Sequence, residues 1–162
     1  MAEEEIEFLE TEEIIEAGIV TALRSASVPL EVIGALTPEA DEEEKTASLS
    51  QIGVTVDTAS QELDWQGPNL PCAYTARISV HVAFSDDKTG TLFRDSCRAV
   101  RAVLQSFIGD QCTALSASGF TCDGFMLDNT QTALETIGDG EGATKTYVAT
   151  IRGRTNNTQE AN

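Results

Sequence analysis

The chain has 162 residues and carries 27 Asp and Glu against 10 Lys and Arg, a formal net charge of −17. That balance excludes a protein that grips a nucleic-acid backbone through a broad basic surface, because such binding needs Lys and Arg to release condensed counterions, and it repels polyanions and anionic lipid at long range. Apolar residues make up 41% and charged residues 23% of the chain, so the sign of the charge is unusual and its amount is not; the length fits one domain with a real core.

In chain order, the first ten residues are acidic, with Ile6 and Phe8 alternating with glutamates as in a short strand or an arm. This opening is the reverse of the basic region of a secretory signal, and no apolar run approaches a membrane span. Synthesis inside a cell and reduced thiols are therefore expected. Thr11 reads as an N-cap, Glu12 and Glu13 suit the positive end of a helix dipole, and Ile15, Ile19, Ala22 and Leu23 recur at helical spacing. These residues predict a helix from about Glu12 to Arg24.

After Pro29, the residues Leu30 to Gly34 predict a short strand. Thr37 to Thr46, with the run Asp41-Glu42-Glu43-Glu44, reads as a solvated loop. Gln51 to Asp57 is a strand with Ile52, Val54 and Val56 on one face. Ala59 to Pro71 reads as a connection that holds Trp65. From Tyr74 to Phe84 the alternation is strict: Tyr74, Ala76, Ile78, Val80, Val82 and Phe84 against Thr75, Arg77, Ser79, His81 and Ala83. One face of this strand is buried and the other polar.

Asp86, Asp87 and Thr91 offer starts for the main helix, whose stripe is Phe93, Cys97, Val100, Leu104 and Phe107, with Gly109 as its stop. Phe120 to Leu127 reads as a strand with a bulge at Asp123-Gly124. Asp128 to Gly142 reads as a long polar loop. Thr144 to Arg154 is the last strand, and Thr155 to Asn162 a disordered tail. The expected fold is a two-layer α+β domain over residues 1–154: a mostly antiparallel sheet of four to five strands, packed by two helices on one face.

Chemistry is hard to place on this chain. Cys72, Cys97, Cys112 and Cys122 are widely and irregularly spaced, and His81 is the single histidine, so the close pairs of a structural zinc site are missing. Cys97 and Cys122 fall at core positions, and no functional disulfide is expected. Gly138-Asp139-Gly140-Glu141-Gly142 leads into a strand and reads as a turn, without EF-hand spacing. His81 shares a face with Ser79, but no third catalytic member is indicated. No catalytic, cofactor-binding or metal-binding residue is assigned, and no enzymatic activity is expected.

Two features point to interactions. Arg94, Arg98 and Arg101 form a cationic stripe at i, i+4 and i+7, which either pairs with Asp95 or meets the carboxylates of a neighbouring subunit, since the planar guanidinium holds carboxylates with paired hydrogen bonds. Trp65 either anchors in a partner or caps its own core. The acidic loop Asp41, Glu42, Glu43 and Glu44 stays solvated or shapes a surface that a polyanion avoids.

The layout resembles the tail terminator and tail-completion proteins of tailed bacteriophages. The likeness covers residues 11 to 154: the helix at Thr11-Glu12-Glu13-Ile14-Ile15, the proline-led alternating strand from Pro71 to Phe84, the amphipathic helix from Asp86 to Ile108, and two closing strands. It implies a structural subunit of a homo-oligomeric ring, commonly a hexamer, between tail tube and neck in the virion. Partners would be other copies and the tube and neck proteins, with DNA passing unbound, no membrane and no cofactor. A negative lining would keep the genome from sticking, and Asp41 to Glu44 are the first candidates for it. Another connector or tube ring subunit, and an acidic DNA-mimic inhibitor, are the alternatives.

Overall fold

The computed structural model describes residues 11–34, 50–61, 69–116, 120–137 and 140–156. Its elements are α1 (Thr11–Ser25), β1 (Glu31–Gly34), β2 (Gln51–Gln61), β3 (Asn69–Ala83), α2 (Thr91–Gln105), β4 (Phe120–Ile137) and β5 (Gly140–Asn156), with short 3-10 segments at Phe84–Asp86 and Gly109–Leu115. The alternation along β3 sets the layers. Tyr74, Ala76, Ile78, Val80 and Val82 are all buried on one face. The register places Ile52, Val54 and Val56 of β2 and Tyr147, Ala149 and Ile151 of β5 beside them. Three adjacent strands thus present one apolar face.

The sheet order is β1-β2-β3-β5-β4. All pairs are antiparallel except β1 with β2, which is parallel. Residues 35–50 separate those two strands, long enough for the crossover of about a dozen residues that parallel pairing needs. Both helices cover the apolar face, α1 over β1 and β2 and α2 over β3 and β5. Ile15, Ile19, Val20 and Leu23 bury the stripe of α1, and Cys97, Val100 and Leu104 that of α2. The fold is the expected two-layer α+β arrangement, with five strands and two helices among the described residues.

Several boundaries differ from the sequence expectation. The main helix begins at Thr91, after a 3-10 turn at Phe84–Asp86 that takes Phe84 out of the strand and leaves it exposed, where the alternation put it on the buried face. Asp87 caps it from outside, its carboxylate accepting from the Leu92 and Phe93 N–H groups at 3.1 and 2.9 Å. Phe107 lies past the helix end, yet its ring packs on Phe125 of β4 with centroids 5.3 Å apart. Gly109 follows with φ 82°, a left-handed conformation that glycine adopts without strain.

The largest correction concerns 128–142, whose described residues, 128–137 and 140–142, pair as a β-hairpin where the sequence reads as a polar loop. β4 runs on to Ile137 and β5 begins at Gly140, in continuous register. Backbone ladders do not require apolar side chains, and Thr suits strands. Two register shifts in β4, between Cys122 and Gly124 and between Leu127 and Asn129, break its alternation twice. The first is the expected bulge and the second hides the rest of the strand.

Likewise β2 continues to Gln61 past a shift between Thr58 and Ser60, and β3 starts at Asn69, so the connection shrinks to 62–68. Pro71 is tolerated because β2 pairs β3 only as far as Cys72, leaving Pro71 paired on the β5 side alone. Thr155 and Asn156, expected in the tail, belong to β5.

At the bulged end of β4 the backbone packs closely. A Cβ on Gly153 would lie 2.3 Å from the Thr121 carbonyl oxygen and 2.6 Å from the Phe120 ring, whereas one on Gly53 would meet nothing within 4 Å. Gly153→Ala should therefore cost about 1–3 kcal/mol in denaturant unfolding, while Gly53→Ala stays within about 0.5 kcal/mol. Equal stabilities for the two variants would contradict this packing.

All four cysteines are free and buried. Burial pushes the thiols of Cys72 and Cys97 above the ordinary 9.0, and that of Cys122 up to about 12. A group whose pKa is higher folded than unfolded contributes stability that is full below the unfolded value and lost as pH rises through the folded one. Unfolding free energy should thus fall from about pH 9 toward pH 12. At pH 8, Cys72 and Cys122 should resist alkylation until denaturant is added. Rapid labelling of either in the native protein would contradict their burial.

Candidate functional site

Helical spacing puts Arg94, Arg98 and Arg101 on one face of α2, with Phe93 and Cys97 at its inner edge. Across from them, Lys145 and Tyr147 are two residues apart on β5 and so share its helix-facing side. Together these seven residues line a cleft of about 250 Å³. The three arginines are exposed, Lys145 is half-buried and Tyr147 is buried. Four of the chain's 10 Lys and Arg side chains thus meet in one cleft, whose lining among the described residues includes no carboxylate.

Two contacts fix its floor. The Tyr147 hydroxyl donates to the Cys97 carbonyl at 3.0 Å, tying β5 to α2. Burial, followed by the neighbouring Cys97, raises the Tyr147 pKa, so the hydroxyl keeps its proton and remains a donor. The Lys145 ammonium lies 5.4 Å from the Tyr147 ring centroid, within cation–π range.

Other cations serve the fold. The Arg154 guanidinium holds both Asp123 oxygens at 2.9 and 3.0 Å, the Arg77 guanidinium meets Asp57 at 3.3 Å, and the Arg24 guanidinium donates to the Val32 carbonyl at 2.7 Å. Among the described residues, no ion pair joins Asp95 to Arg94, Arg98 or Arg101. The structure therefore brings the stripe to a cleft and leaves its heads open to solvent.

His81 and Ser79 lie on the opposite face of the sheet. His81 Nδ1 is hydrogen-bonded to the Thr144 hydroxyl at 3.0 Å, and the Ser79 hydroxyl to that of Thr146 at 3.0 Å. Each is therefore bonded to a threonine of β5. Among the described residues no group of three His, Cys, Asp or Glu side chains is arranged to hold a metal ion. No helix among them is long and apolar enough to cross a membrane. Trp65 and Asp41 to Glu44 lie outside the described residues.

Lys145 and Tyr147 were not among the residues singled out from sequence, although a signal exists. Lys145 occupies the buried phase of β5, between Ala143 and Tyr147, where a lone cation is out of pattern. Tyr147→Phe removes the hydroxyl that bonds to Cys97 and should cost about 1 kcal/mol in unfolding free energy. An unchanged stability would mean that this bond does not hold the floor of the cleft.

No known family model matches the sequence, and no curated protein matches it. Solved structures do share the fold. A chain from the virion of a native gene transfer agent particle superposes with a TM-score of 0.57 at 16% identity, over 86% of this chain and 93% of that one. A second solved chain covers 85% of this one at 12% identity with a TM-score of 0.45, too loose a likeness to carry an argument. The chain thus shares its fold with that first chain.

Proposed function

We propose that this protein is a structural subunit of a virion, specifically a tail terminator that forms a homo-oligomeric ring, a hexamer, at the head-proximal end of a phage tail. It would join tail tube to neck and let DNA pass without binding it. The observation that carries this proposal is the fold shared with a gene transfer agent virion chain across nearly the whole length of both. The net charge of −17 agrees with it, because a surplus of carboxylates near a lumen repels a polyanion over the roughly 8 Å that physiological salt allows.

The β4–β5 hairpin favours a terminator over a tube subunit that stacks through a free arm. β3 flanks β5 as far as Gly142, so the hairpin is built into the sheet, and among the described residues only Thr136, Ile137, Gly140 and Glu141 extend past Ala83. The 37–50 segment, which a tube subunit could equally use as an arm, lies outside the described residues apart from Ser50.

Light scattering over a range of protein concentrations tests the proposal, followed by electron microscopy with tail tubes. The expected result is a species near six times the 17.3 kDa protomer mass, formed alone or on the end of a tube. A persistent monomer that leaves tube ends bare contradicts it, as does a tight stoichiometric complex with a nuclease, the mark of a DNA mimic.

A further inference from the structure

We propose that the cleft between α2 and β5 is a docking groove for the acidic first ten residues of a second copy of this chain. This deepens the ring proposal and rests on it for the presence of neighbouring copies. The groove carries the charges of Arg94, Arg98, Arg101 and Lys145 over a floor of Phe93, Cys97 and Tyr147. The sequence Met1 to Glu10 carries the complement: Glu3, Glu4, Glu5, Glu7 and Glu10, with Ile6, Phe8 and Leu9 among them. Laid into the groove in extended form, such a segment turns Ile6 and Phe8 to one side and Glu5 and Glu7 to the other. The apolar side suits the aromatic floor, and the carboxylates suit guanidinium forks.

The topology favours a neighbour's segment over the chain's own. α1, which the segment precedes, sits over β1 and β2, and its Glu12 carboxylate accepts from the Thr58 hydroxyl of β2. The groove opens on the side of α2 toward β5, so α2 stands between it and α1. A segment of the same chain would have to pass over or round α2, a helix about 10 Å across, to reach it. A groove on one face that receives a segment from elsewhere on another copy is a heterologous contact, the type that closes rings. A nucleic acid is the less fitting occupant, because the remaining surface, at net −17, repels it on approach.

The test is fluorescence anisotropy with a labelled peptide of sequence Met1 to Glu10. The protein is the 162-residue chain with Glu3, Glu4, Glu5, Glu7 and Glu10 each changed to Gln, which keeps other copies from occupying the groove. The expected result is saturable binding that weakens with salt, and weakens about tenfold or more when Arg94, Arg98 and Arg101 are also changed to Glu. A peptide with its five glutamates changed to Gln should likewise lose binding, a comparison that involves no variant of the groove. Absence of binding, equal binding of the Gln peptide, or tighter binding of a single-stranded oligonucleotide would each overturn the inference. Peptide binding by a chain that never forms rings would sink the ring proposal and leave the groove. A ring indifferent to the three Arg→Glu changes would do the reverse.

Discussion

Period-two alternation along β3 obliges every strand paired with it to bury the same face. β3 pairs with β5 along all 15 of its residues and with β2 from Cys72 to His81, so Ile52, Val54, Ile78, Val80, Tyr147 and Ala149 fall into one sheet of apolar side chains. That sheet is too wide for one helix. Two helices are needed, and both must lie on the same side. The other face can then remain polar, with Arg77, Ser79 and His81 paired to Asp57, Thr146 and Thr144. A polar substitution at Ile78 or Val80 would disturb both strand partners and α2 at once, whereas one at Ser79 would touch a single hydroxyl contact.

The same geometry creates the cationic groove. Sheet order places β5 and β4 beyond β3, and α2 covers β3 and β5 without closing over the outer strand. A recess is left where α2 meets β5. Lys145 enters it because its register partner is Val80, a helix-facing residue. The arginines border it because α2 must turn Val100 and Leu104 inward, which sets Arg94, Arg98 and Arg101 at the margin. In a chain of net charge −17, a cluster of four cations with no carboxylate among the described lining residues is where another acidic surface can approach. Neighbouring copies would otherwise repel one another.

Much of this architecture was legible in the sequence. The β3 alternation, the α2 stripe, the first bulge at Asp123-Gly124 and both helices lie close to where the residue pattern put them. Strand ends were harder: β4 past Leu127 and β2 past Asp57 continue through register shifts, and each shift resets the phase that makes a strand visible. The parallel pairing of β1 with β2 depends on a crossover, which a local pattern does not encode. At the groove, the arginine stripe was visible as helical spacing. Its completion by Lys145 and Tyr147 was not, because it depends on which strand lies under α2.

Zero-length coupling of carboxylates to amines offers the most direct test, since Lys145 is the amine within the groove. Equal amounts of nitrogen-14 and nitrogen-15 protein are mixed, allowed to assemble, treated with a carbodiimide and digested. The expected product joins Lys145 of one isotope to a glutamate among Glu3, Glu4, Glu5 and Glu7 of the other. Linkage of those glutamates to Lys145 only within one isotope, or to Lys88 in its place, would contradict the docking of one copy's acidic segment in its neighbour's groove.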